Sequence, residues 1–402
     1  MLVAGIIAEY NPLHMGHVHL LWETRRLLGP DCAVVCVMGG NFMQRGDLAL
    51  VNKRARAMAA VRSGADLVLE LPLPWAVSSA EGFSQGGAET LAATGIADRL
   101  VFGSESGDAV PLERLAAALL SPKFSPLLKR ELVRGDSFAA ARQRAAAALL
   151  STEEAAPLGQ PNDILGVEYC KSLLRLGASI RPLAVLRTGA GHGDSDTGAA
   201  LPSAGALRAL VQAGRRDEAL ARMAPAMADA YRAEEAAGRA PVLLETCERA
   251  LLARLRFMEQ ADFAALDRGR EGLGNRLYQA SREAPSLEGV LALAKTKRYA
   301  HARLRRMVLW AWLGLRPDEI PEHVPYLRPL AANETGRILL ARMRKTAVLP
   351  ILTKSGQLRR MPEEARRLFA LEARAADLYA LAYPALSAAR GGTAWREGPA
   401  ML

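Results

Sequence analysis

His14 and His17 are the first residues of the chain whose types and spacing could do chemistry. They lie in a polar turn between a six-residue apolar run and a segment with helical spacing, which predicts a buried strand, a turn and a helix. The unpaired N–H groups and the positive dipole end at a helix N-terminus attract phosphate, and Gly16 lets a ligand approach the backbone closely. The pattern predicts a phosphate-binding turn whose imidazoles donate hydrogen bonds as charge develops in a transition state.

The same residues also fit a turn with two surface histidines and a glycine that the backbone requires, so the spacing alone leaves both interpretations open. Zinc is less favoured, because neither histidine has an acidic or cysteine partner at a recognised ligand spacing. The four cysteines show no paired metal spacing, and we expect buried thiols at Cys32, Cys36, Cys170 and Cys247. No metal site built from protein side chains is predicted.

Strand and helix patterns alternate over the first half of the chain. Strand patterns at 32–38, 67–71, 100–102 and 180–186 alternate with helical patterns at 53–63, 79–94 and 164–176. This alternation predicts right-handed crossovers and a parallel, Rossmann-like sheet in an α/β domain at 1–214. Ligands of such sheets bind beyond the carboxyl ends of the strands, so we expect the turns at 9–17, 39–46, 71–79 and 103–108 to converge on one crevice.

Further along the chain, two helix starts could border this crevice. Asn162 or Asp163 is expected to be the N-cap of the helix at 164–176. Ser203 can cap the next helix and Arg208 follows it, so this segment could hold a second phosphate group. An ordinary N-cap followed by a surface arginine fits equally well. The loop at 188–202 is predicted to be a mobile flap.

The second half of the chain has helical composition and carries all of the excess positive charge. Residues 1–200 contain 19 Lys and Arg against 20 Asp and Glu, and residues 201–402 contain 33 against 22, which gives net charges of −1 and +11. This distribution predicts an all-α, polyanion-binding domain at 215–402. An arginine-rich composition throughout the proteome is the alternative explanation.

One segment of that half, 295–306, contains six Lys and Arg together with a tyrosine and a histidine. On a single helix Arg298, His301 and Arg305 would share a face that fits an RNA backbone, with Tyr299 available to stack on a base. A solvated basic helix face is the usual explanation for such a run and stays open. The predicted tRNA-binding residues are Lys295, Lys297, Arg298, Tyr299 and Arg305.

The sequence shows no membrane-spanning or secretory signal. No apolar run approaches the roughly 18 residues that a spanning helix needs, and the N-terminus lacks the basic start and cleavage site of a signal peptide. We therefore expect a cytoplasmic protein with no membrane partner. No oligomeric state is predicted.

The histidine turn and several longer strings resemble known families. His14-Met15-Gly16-His17 after an apolar strand resembles the signature of the nucleotidyltransferases related to class I aminoacyl-tRNA synthetases. The strings at 5–20, 40–46, 64–72, 79–81, 102–105, 161–169 and 295–299 are similar to the bacterial tRNA(Met) cytidine acetate ligase family, and they extend over most of the chain. The chain departs from the usual pattern of that family at Met15, at 191–194 and at 203–205.

The resemblance implies an ATP-dependent ligase that forms acetyl-adenylate and pyrophosphate from acetate and ATP. It implies transfer of the acetyl group to N4 of the wobble cytidine of elongator tRNA(Met), with His14 and His17 as catalytic residues and Mg²⁺ neutralising the pyrophosphate. The ATP-binding residues that it implies are Ile7, Ala8, Glu9, Tyr10, Asn11, Pro12, Leu13, His14, Met15, Gly16, His17, Val18, His19, Leu20, Gly103, Asn162 and Arg187. A small-molecule adenylyltransferase and a non-catalytic tRNA-binding protein on a nucleotide-binding scaffold remain as alternatives.

Overall fold

A seven-stranded sheet forms the centre of the protein in a computed structural model that describes residues 1–135, 137–187, 203–267, 272–297 and 299–402. The strands are β1 (Val3–Ala8), β2 (Ala33–Gly39), β3 (Phe42–Met43), β4 (Asp47–Leu48), β5 (Leu67–Leu71), β6 (Arg99–Ser104), β7 (Arg181–Leu186), β8 (Pro329–Ala332) and β9 (Ala400–Met401). The sheet order is β7-β6-β1-β2-β5-β8-β9, and β3 and β4 form a separate hairpin. β1 pairs in parallel with β2 and β6, which confirms the predicted α/β, Rossmann-like topology.

Helices cover both faces of the sheet and build most of the second half of the chain. The helices of the first half are α1 (Met15–Leu28), α2 (Lys53–Arg62), α3 (Leu73–Ala76), α4 (Ala80–Ala93), α5 (Ala109–Leu120), α6 (Phe124–Leu132), α7 (Phe138–Leu149), α8 (Thr152–Ala155) and α9 (Pro161–Leu176). Those that follow are α10 (Ala204–Gln212), α11 (Arg216–Arg222), α12 (Pro225–Ala236), α13 (Glu248–Phe257), α14 (Gln260–Leu266), α15 (Leu273–Glu283), α16 (Leu287–Ala294), α17 (His301–Leu313), α18 (Glu334–Thr346), α19 (Glu363–Ala380) and α20 (Thr393–Arg396).

The central strands are apolar along their whole length because both faces of the sheet are covered. Every residue of β2 and β5 is buried. Alternate side chains therefore belong to different cores: Val35 and Val37 pack in one core with residues of α4 and α9, and Val34 and Cys36 pack in the other with residues of α2 and α12. A third core joins the β3–β4 hairpin, through residues such as Phe42, to the helices of the second half.

The second half of the chain contributes two strands to the central sheet. β8 pairs antiparallel with β5, and β9 pairs parallel with β8. The C-terminal region is mostly helical, as expected, but the prediction that it is all-α is wrong for these two strands. A short apolar segment, Pro329–Ala332, forms a strand because β5 offers it an open edge, which local alternation does not reveal. The apolar segment at 348–352 also has a strand-like pattern, but it makes only an isolated bridge, between Ile351 and Leu327.

The start and the N-cap predicted for one helix, α9, also need correction. The helix predicted at 164–176 begins at Pro161, with Gln160 as its N-cap, so Asn162 and Asp163 lie in its first turn. Proline suits the first helical position because its missing N–H would have no helical partner there.

The four cysteines are free and buried, as predicted. In the part of the chain that the structure describes, no helix is both long and apolar enough to cross a membrane.

Candidate active site

A cavity of about 180 Å³ lies at the carboxyl ends of β1 and β6, where the fold predicts ligand binding. Of the residues predicted to bind ATP, those that line it are Ile7, Ala8, Glu9, Tyr10, Asn11, His14, His17, Leu20, Gly103, Asn162 and Arg187. The others in that set do not line it: Pro12, Leu13, Met15, Gly16, Val18 and His19. Side chains at successive positions of a turn and of α1 face different ways, so the side chains of a continuous string cannot all line one cavity.

Three of the four predicted turns converge on this cavity. Residues of the turns at 9–17, 39–46 and 103–108 line it, but none of the turn at 71–79 does. That turn contains the short helix α3, whose Leu73 packs in the helical core together with Val77. Because both side chains are apolar, they are buried in this core and do not line the polar cavity. Phe83, further along in α4, borders the cavity instead.

The two imidazoles cap the N-terminus of α1 reciprocally. The Nδ1 atom of His14 accepts a hydrogen bond from the Gly16 N–H at 3.1 Å, and the Nδ1 atom of His17 accepts one from the His14 N–H at 3.2 Å. An imidazole nitrogen that accepts a hydrogen bond carries no proton, so the neutral form of each ring has its proton on Nε2. Both rings line the cavity, and each therefore supplies one N–H donor on the side opposite to the helix.

His14 is buried, with only 8% of its surface exposed, and the idea of two surface histidines is wrong for it. The ring centroids of His14 and His17 lie 3.8 Å apart, and the Tyr10 ring meets His17 edge-on at 5.0 Å. Tyr10 itself has a φ of +49°, a left-handed conformation that is uncommon for a bulky residue. The backbone at 10–14 is also tied to the start of α12, because the Ala224 N–H donates to the Leu13 carbonyl at 3.1 Å. The histidine pair therefore stands on a fixed turn.

Glu105 and Asp163 exchange hydrogen bonds on the other side of the cavity. The carboxylate of Glu105 accepts from the Asn162 side chain at 2.6 Å and from the Asp163 N–H at 2.8 Å, so it caps α9. Burial alone would raise the pKa of Glu105, but these hydrogen bonds outweigh it and the pKa is lowered. In return, Asp163 accepts from the Glu105 N–H at 3.1 Å, and it also accepts from the Ser104 hydroxyl at 2.5 Å. This exchange fixes Asn162 at the wall of the cavity.

Arg187 follows β7 directly and lies across β6. Its N–H donates to the Ser104 carbonyl at 2.9 Å. A Cβ on Gly103 would lie 3.2 Å from the Arg187 Cγ, so the absence of a side chain at Gly103 leaves room for this arginine. The predicted pair Gly103 and Arg187 thus forms one feature of the cavity wall. The flap predicted at 188–202 lies outside the described residues.

Arg208 and Ser203 also line the cavity, which supports the interpretation of a second phosphate contact over that of a surface arginine. The Ser203 side chain caps α10 by accepting from the Ala206 N–H at 3.1 Å. Arg208 donates to the Asn11 carbonyl at 2.8 Å, which links α10 to the turn before the histidines. Three arginines, Arg45, Arg187 and Arg208, therefore bring positive charge to a cavity that also contains the imidazole donors.

Arg56 is a structural residue that sequence reasoning missed. Its side chain is completely buried, and it donates to the carbonyls of Glu9 at 2.5 Å, Val51 at 2.9 Å and Gly39 at 3.2 Å, and also to that of Gly40. It therefore ties the end of β1 to the end of β2. In the sequence it is one of several arginines in a helical pattern, and nothing there distinguishes it.

Glu9 is the buried acid of the cavity. Its carboxylate accepts from the Gln44 N–H at 2.6 Å, which connects β1 to the β3–β4 hairpin. Burial raises the pKa of Glu9, although the hydrogen bond from Gln44 and the charges of Arg208, Arg56 and Arg45 oppose the shift. The Gln44 Nε2 atom is buried and has no hydrogen-bond partner within the described residues. Such an unpaired donor in a cavity wall fits an acceptor atom of a bound ligand.

The predicted basic helix face at 295–305 does not exist as one face. α16 ends at Ala294 and α17 begins at His301, so Lys295 and Lys297 lie in the connecting segment. Arg298 lies outside the described residues. Tyr299 has 5% of its surface exposed, and the prediction that it stacks on a base is wrong because its ring belongs to the helical core.

Arg305 faces the catalytic half of the protein. It donates to the Gly46 carbonyl at 3.3 Å and pairs with Asp47 at 3.2 Å, both in the β3–β4 hairpin. The next residue, Arg306, donates to the Gln44 carbonyl at 3.1 Å. The basic segment thus holds the β3–β4 hairpin, which forms part of the cavity wall. The sequence does not reveal this role, because α17 and the hairpin are far apart in the chain and meet only in the folded protein.

Comparisons with known proteins agree with this geometry. A family model described as HIGH Nucleotidyl Transferase matches residues 1–393. A Fervidobacterium nodosum protein named tRNA(Met) cytidine acetate ligase is 36% identical, over 92% of this chain and 88% of its own length. A Thermotoga maritima protein of the same name is 35% identical, over 94% of this chain and 95% of its own.

Two crystal structures of Thermotoga maritima TmcAL match the entire chain. The apo form superposes with a TM-score of 0.96 at 34% identity, and the form bound with alpha-thio ATP superposes with a TM-score of 0.93 at 33% identity. Each comparison covers 100% of both chains.

Proposed function

Since this chain belongs to the HIGH nucleotidyl transferases and, among them, to the family of tRNA(Met) cytidine acetate ligases, we propose that it activates acetate with ATP and acetylates a tRNA cytidine. The observation that carries the proposal is the pair of Nε2–H donors of His14 and His17 beside Arg187 and Arg208 in one cavity. The cavity also contains the carboxyl groups of Glu9 and Asp47, but its three arginines outnumber them, so the donors of the cavity suit a triphosphate. The alpha-thio ATP that Thermotoga maritima TmcAL binds supports the same ligand class here.

In the first step, a carboxylate oxygen of acetate attacks the α-phosphorus of ATP, and the bond between the α-phosphorus and the bridging oxygen breaks. Acetyl-adenylate forms and pyrophosphate leaves. Charge builds on the phosphoryl oxygens during this step, and fixed N–H donors stabilise it without having to reorganise. The reciprocal caps hold both imidazoles in the tautomer that donates from Nε2. The unpaired Nε2 donor of Gln44 is available to the acetate carboxylate.

In the second step, N4 of the wobble cytidine of elongator tRNA(Met) attacks the acetyl carbon, AMP leaves and N4 loses a proton. The mixed anhydride is reactive enough that no covalent enzyme intermediate is needed. The four cysteines are buried, and burial raises the pKa of Cys36, Cys170 and Cys247 to about 12, so none of these three is suited to act as a nucleophile.

Mg²⁺ would accompany the triphosphate and neutralise the leaving pyrophosphate. Within the described ranges, no group of three or more His, Cys, Asp or Glu side chains could hold a metal ion. The cavity still fits Mg²⁺, because this ion takes most of its ligands from substrate phosphates and water and needs only one or two protein carboxylates. Asp47, which lines the cavity, could supply one carboxylate oxygen.

The remaining assignments rest on the same premise. We place the catalytic unit at 1–214 and the tRNA-binding region in 215–402, where the net charge is positive, and we place the enzyme in the cytoplasm with its tRNA. Lys295 and Lys297 are exposed and stay candidates for phosphate contacts. Arg305 is a candidate only if tRNA approaches the β3–β4 hairpin that it holds.

The test is to incubate the purified protein with ATP, Mg²⁺, acetate and elongator tRNA(Met) and to analyse the nucleosides by mass spectrometry. We expect N4-acetylcytidine at the wobble position. Omission of acetate, or of ATP, should abolish the product. Equal yield from acetyl-CoA without ATP would overturn the ligase assignment.

A further inference from the structure

A second basic surface lies far from the segment at 295–306. Residues 335–362 contain seven Lys and Arg and no Asp or Glu. All seven side chains are exposed, and none forms an ion pair with any residue that the structure describes: Arg337, Arg342, Arg344, Lys345, Lys354, Arg359 and Arg360. No ion pair with a described residue therefore neutralises these seven cations. This surface is of the kind that attracts a polyanion.

A groove of about 570 Å³ crosses this surface. Its wall combines three cations, Arg344, Lys354 and Arg396, with the indole of Trp395, and Glu397 is the one acid that borders it. Trp395 has 46% of its surface exposed, and its ring is held edge-on against Phe369 with the centroids 4.8 Å apart. The Ser355 hydroxyl also donates to the Trp395 carbonyl at 2.7 Å. An aromatic side chain with nearly half of its surface exposed is therefore held in the groove.

The groove is separate from the cavity that contains the histidines. The two share no lining residue. The groove lies beside β8 and β9, the last two strands of the sheet order, whereas the histidine cavity lies above β1 and β6. Four strand spacings of about 4.8 Å separate β1 from β9, so the two sites lie on the order of 20 Å apart across the sheet. One long nucleic acid could reach both.

We propose that this groove is an RNA-binding site, in which an unstacked base lies on Trp395 and neighbouring phosphates contact Arg344, Lys354 and Arg396. The proposal rests on the proposed function and adds to it the place where a single-stranded segment of the tRNA is held. Stacking of a base on an aromatic ring beside phosphate-binding cations is the general mode of single-stranded RNA recognition. An acidic protein would use the cations but has no need for the exposed indole face.

The first test replaces the three cations by Arg344→Gln, Lys354→Gln and Arg396→Gln and titrates an elongator tRNA(Met) transcript against salt. Each lost phosphate contact should flatten the slope of log K against log salt by roughly 0.7 to 0.9. The matched control carries Lys123→Gln, Lys129→Gln and Arg181→Gln, which removes the same charge from exposed positions that form no ion pair within the described part of the chain. Arg181 lies in β7, on the opposite edge of the sheet. The control should keep the wild-type slope.

The second test is Trp395→Ala. Loss of one stacked base should weaken tRNA binding about 5- to 150-fold. The salt slope should stay unchanged, because no charge is lost. A merely destabilised protein would instead lose acetate-dependent pyrophosphate exchange without tRNA, which we expect both the triple variant and Trp395→Ala to retain.

Wild-type affinity and salt slope in both the triple variant and Trp395→Ala would overturn the proposal and assign the groove to another partner, such as an acidic protein. Equal flattening in the matched control would also overturn it, since net charge alone would then explain the effect. The proposed function is tested by a different assay. It fails if the wild-type protein shows no acetate-dependent pyrophosphate exchange, whereas the groove is tested by direct measurement of tRNA binding.

Discussion

The His17 Nδ1 atom accepts the backbone N–H of His14 at 3.2 Å, so the second histidine holds the first residue of its own motif in place. The His14 ring makes the corresponding contact with Gly16. This reciprocal cap links the stability of α1 to the tautomer of the two proposed catalytic groups, because the same nitrogen cannot both accept these bonds and carry a proton.

We expect His14→Ala and His17→Ala each to lower acetate-dependent pyrophosphate exchange about 10²-fold or more, the usual loss for one transition-state donor. Each also removes a cap and should cost about 1 kcal/mol of unfolding free energy. His14→Asn separates the two effects, since asparagine is a good N-cap but lacks the imidazole donor. His19→Ala is the matched control, because His19 stacks on Trp22 and does not line the cavity. This variant should keep the wild-type rate of pyrophosphate exchange. Normal exchange in all the variants would exclude the proposed site.

Arg56→Met should destabilise the protein by about 3 kcal/mol or more. The substitution leaves the buried carbonyls of Glu9, Gly39 and Val51 without this donor, and each unsatisfied group costs on the order of 1 kcal/mol or more. Denaturant unfolding measures the change. Arg62→Met, at an exposed position of the same helix, is the control and should stay within about 0.5 kcal/mol of wild type. Equal effects of the two variants would show that Arg56 does not tie the strands together.

Glu9→Gln should stabilise the protein at neutral pH. Burial raises the pKa of Glu9 in the folded state above the ordinary value of 4.5, so the folded state keeps this proton to higher pH than the unfolded chain does. The favourable contribution of Glu9 is complete below pH 4.5 and is lost as pH rises through the folded-state pKa. Glutamine resembles the protonated acid at every pH and can still accept the Gln44 N–H.

The check on Glu9 is the difference in unfolding free energy between Glu9→Gln and wild type as a function of pH. This difference should be small near pH 4.5 and should increase toward neutral pH. A difference that does not change with pH would mean that Glu9 titrates alike in the folded and unfolded states.

Gly46→Ala should detach the β3–β4 hairpin from α17. Gly46 has a φ of +76°, and a Cβ there would lie 2.5 Å from the backbone carbon of Arg305. Gly29→Ala is the matched control, because its φ is +101° but nothing lies within 4 Å of the added Cβ. Both variants should cost about 1 kcal/mol for the left-handed backbone, and the clash should add about 1–3 kcal/mol at Gly46 alone. Equal unfolding free energies would show that the hairpin gives way without cost.

The parallel sheet and its histidine turn could be predicted because their signals are local. Buried strands such as β2 are continuous apolar runs, and the histidine turn stands between such a run and an amphipathic helix. The positions of Asn162 and Arg187 followed from the resemblance, and both line the cavity.

What could not be predicted depends on contacts between distant segments. Arg56, Arg305 and β8 have roles only because the fold brings other parts of the chain to them. The basic segment at 295–306 shows the limit of charge patterns, because the composition suggested one helix face while Tyr299 is buried and the helix begins only at His301. The groove at Trp395 was missed because two of its cations, Arg344 and Lys354, lie roughly 40 to 50 residues before the indole in the sequence.

The measurement that tests the central claim most directly is acetate-dependent exchange of labelled pyrophosphate into ATP, with and without elongator tRNA(Met). The claim is that the cavity at His14 and His17 forms acetyl-adenylate on its own. We predict exchange that requires acetate, proceeds without tRNA and is lost in His14→Ala. Exchange that does not depend on acetate, or no exchange in a protein that still binds the tRNA, would contradict it.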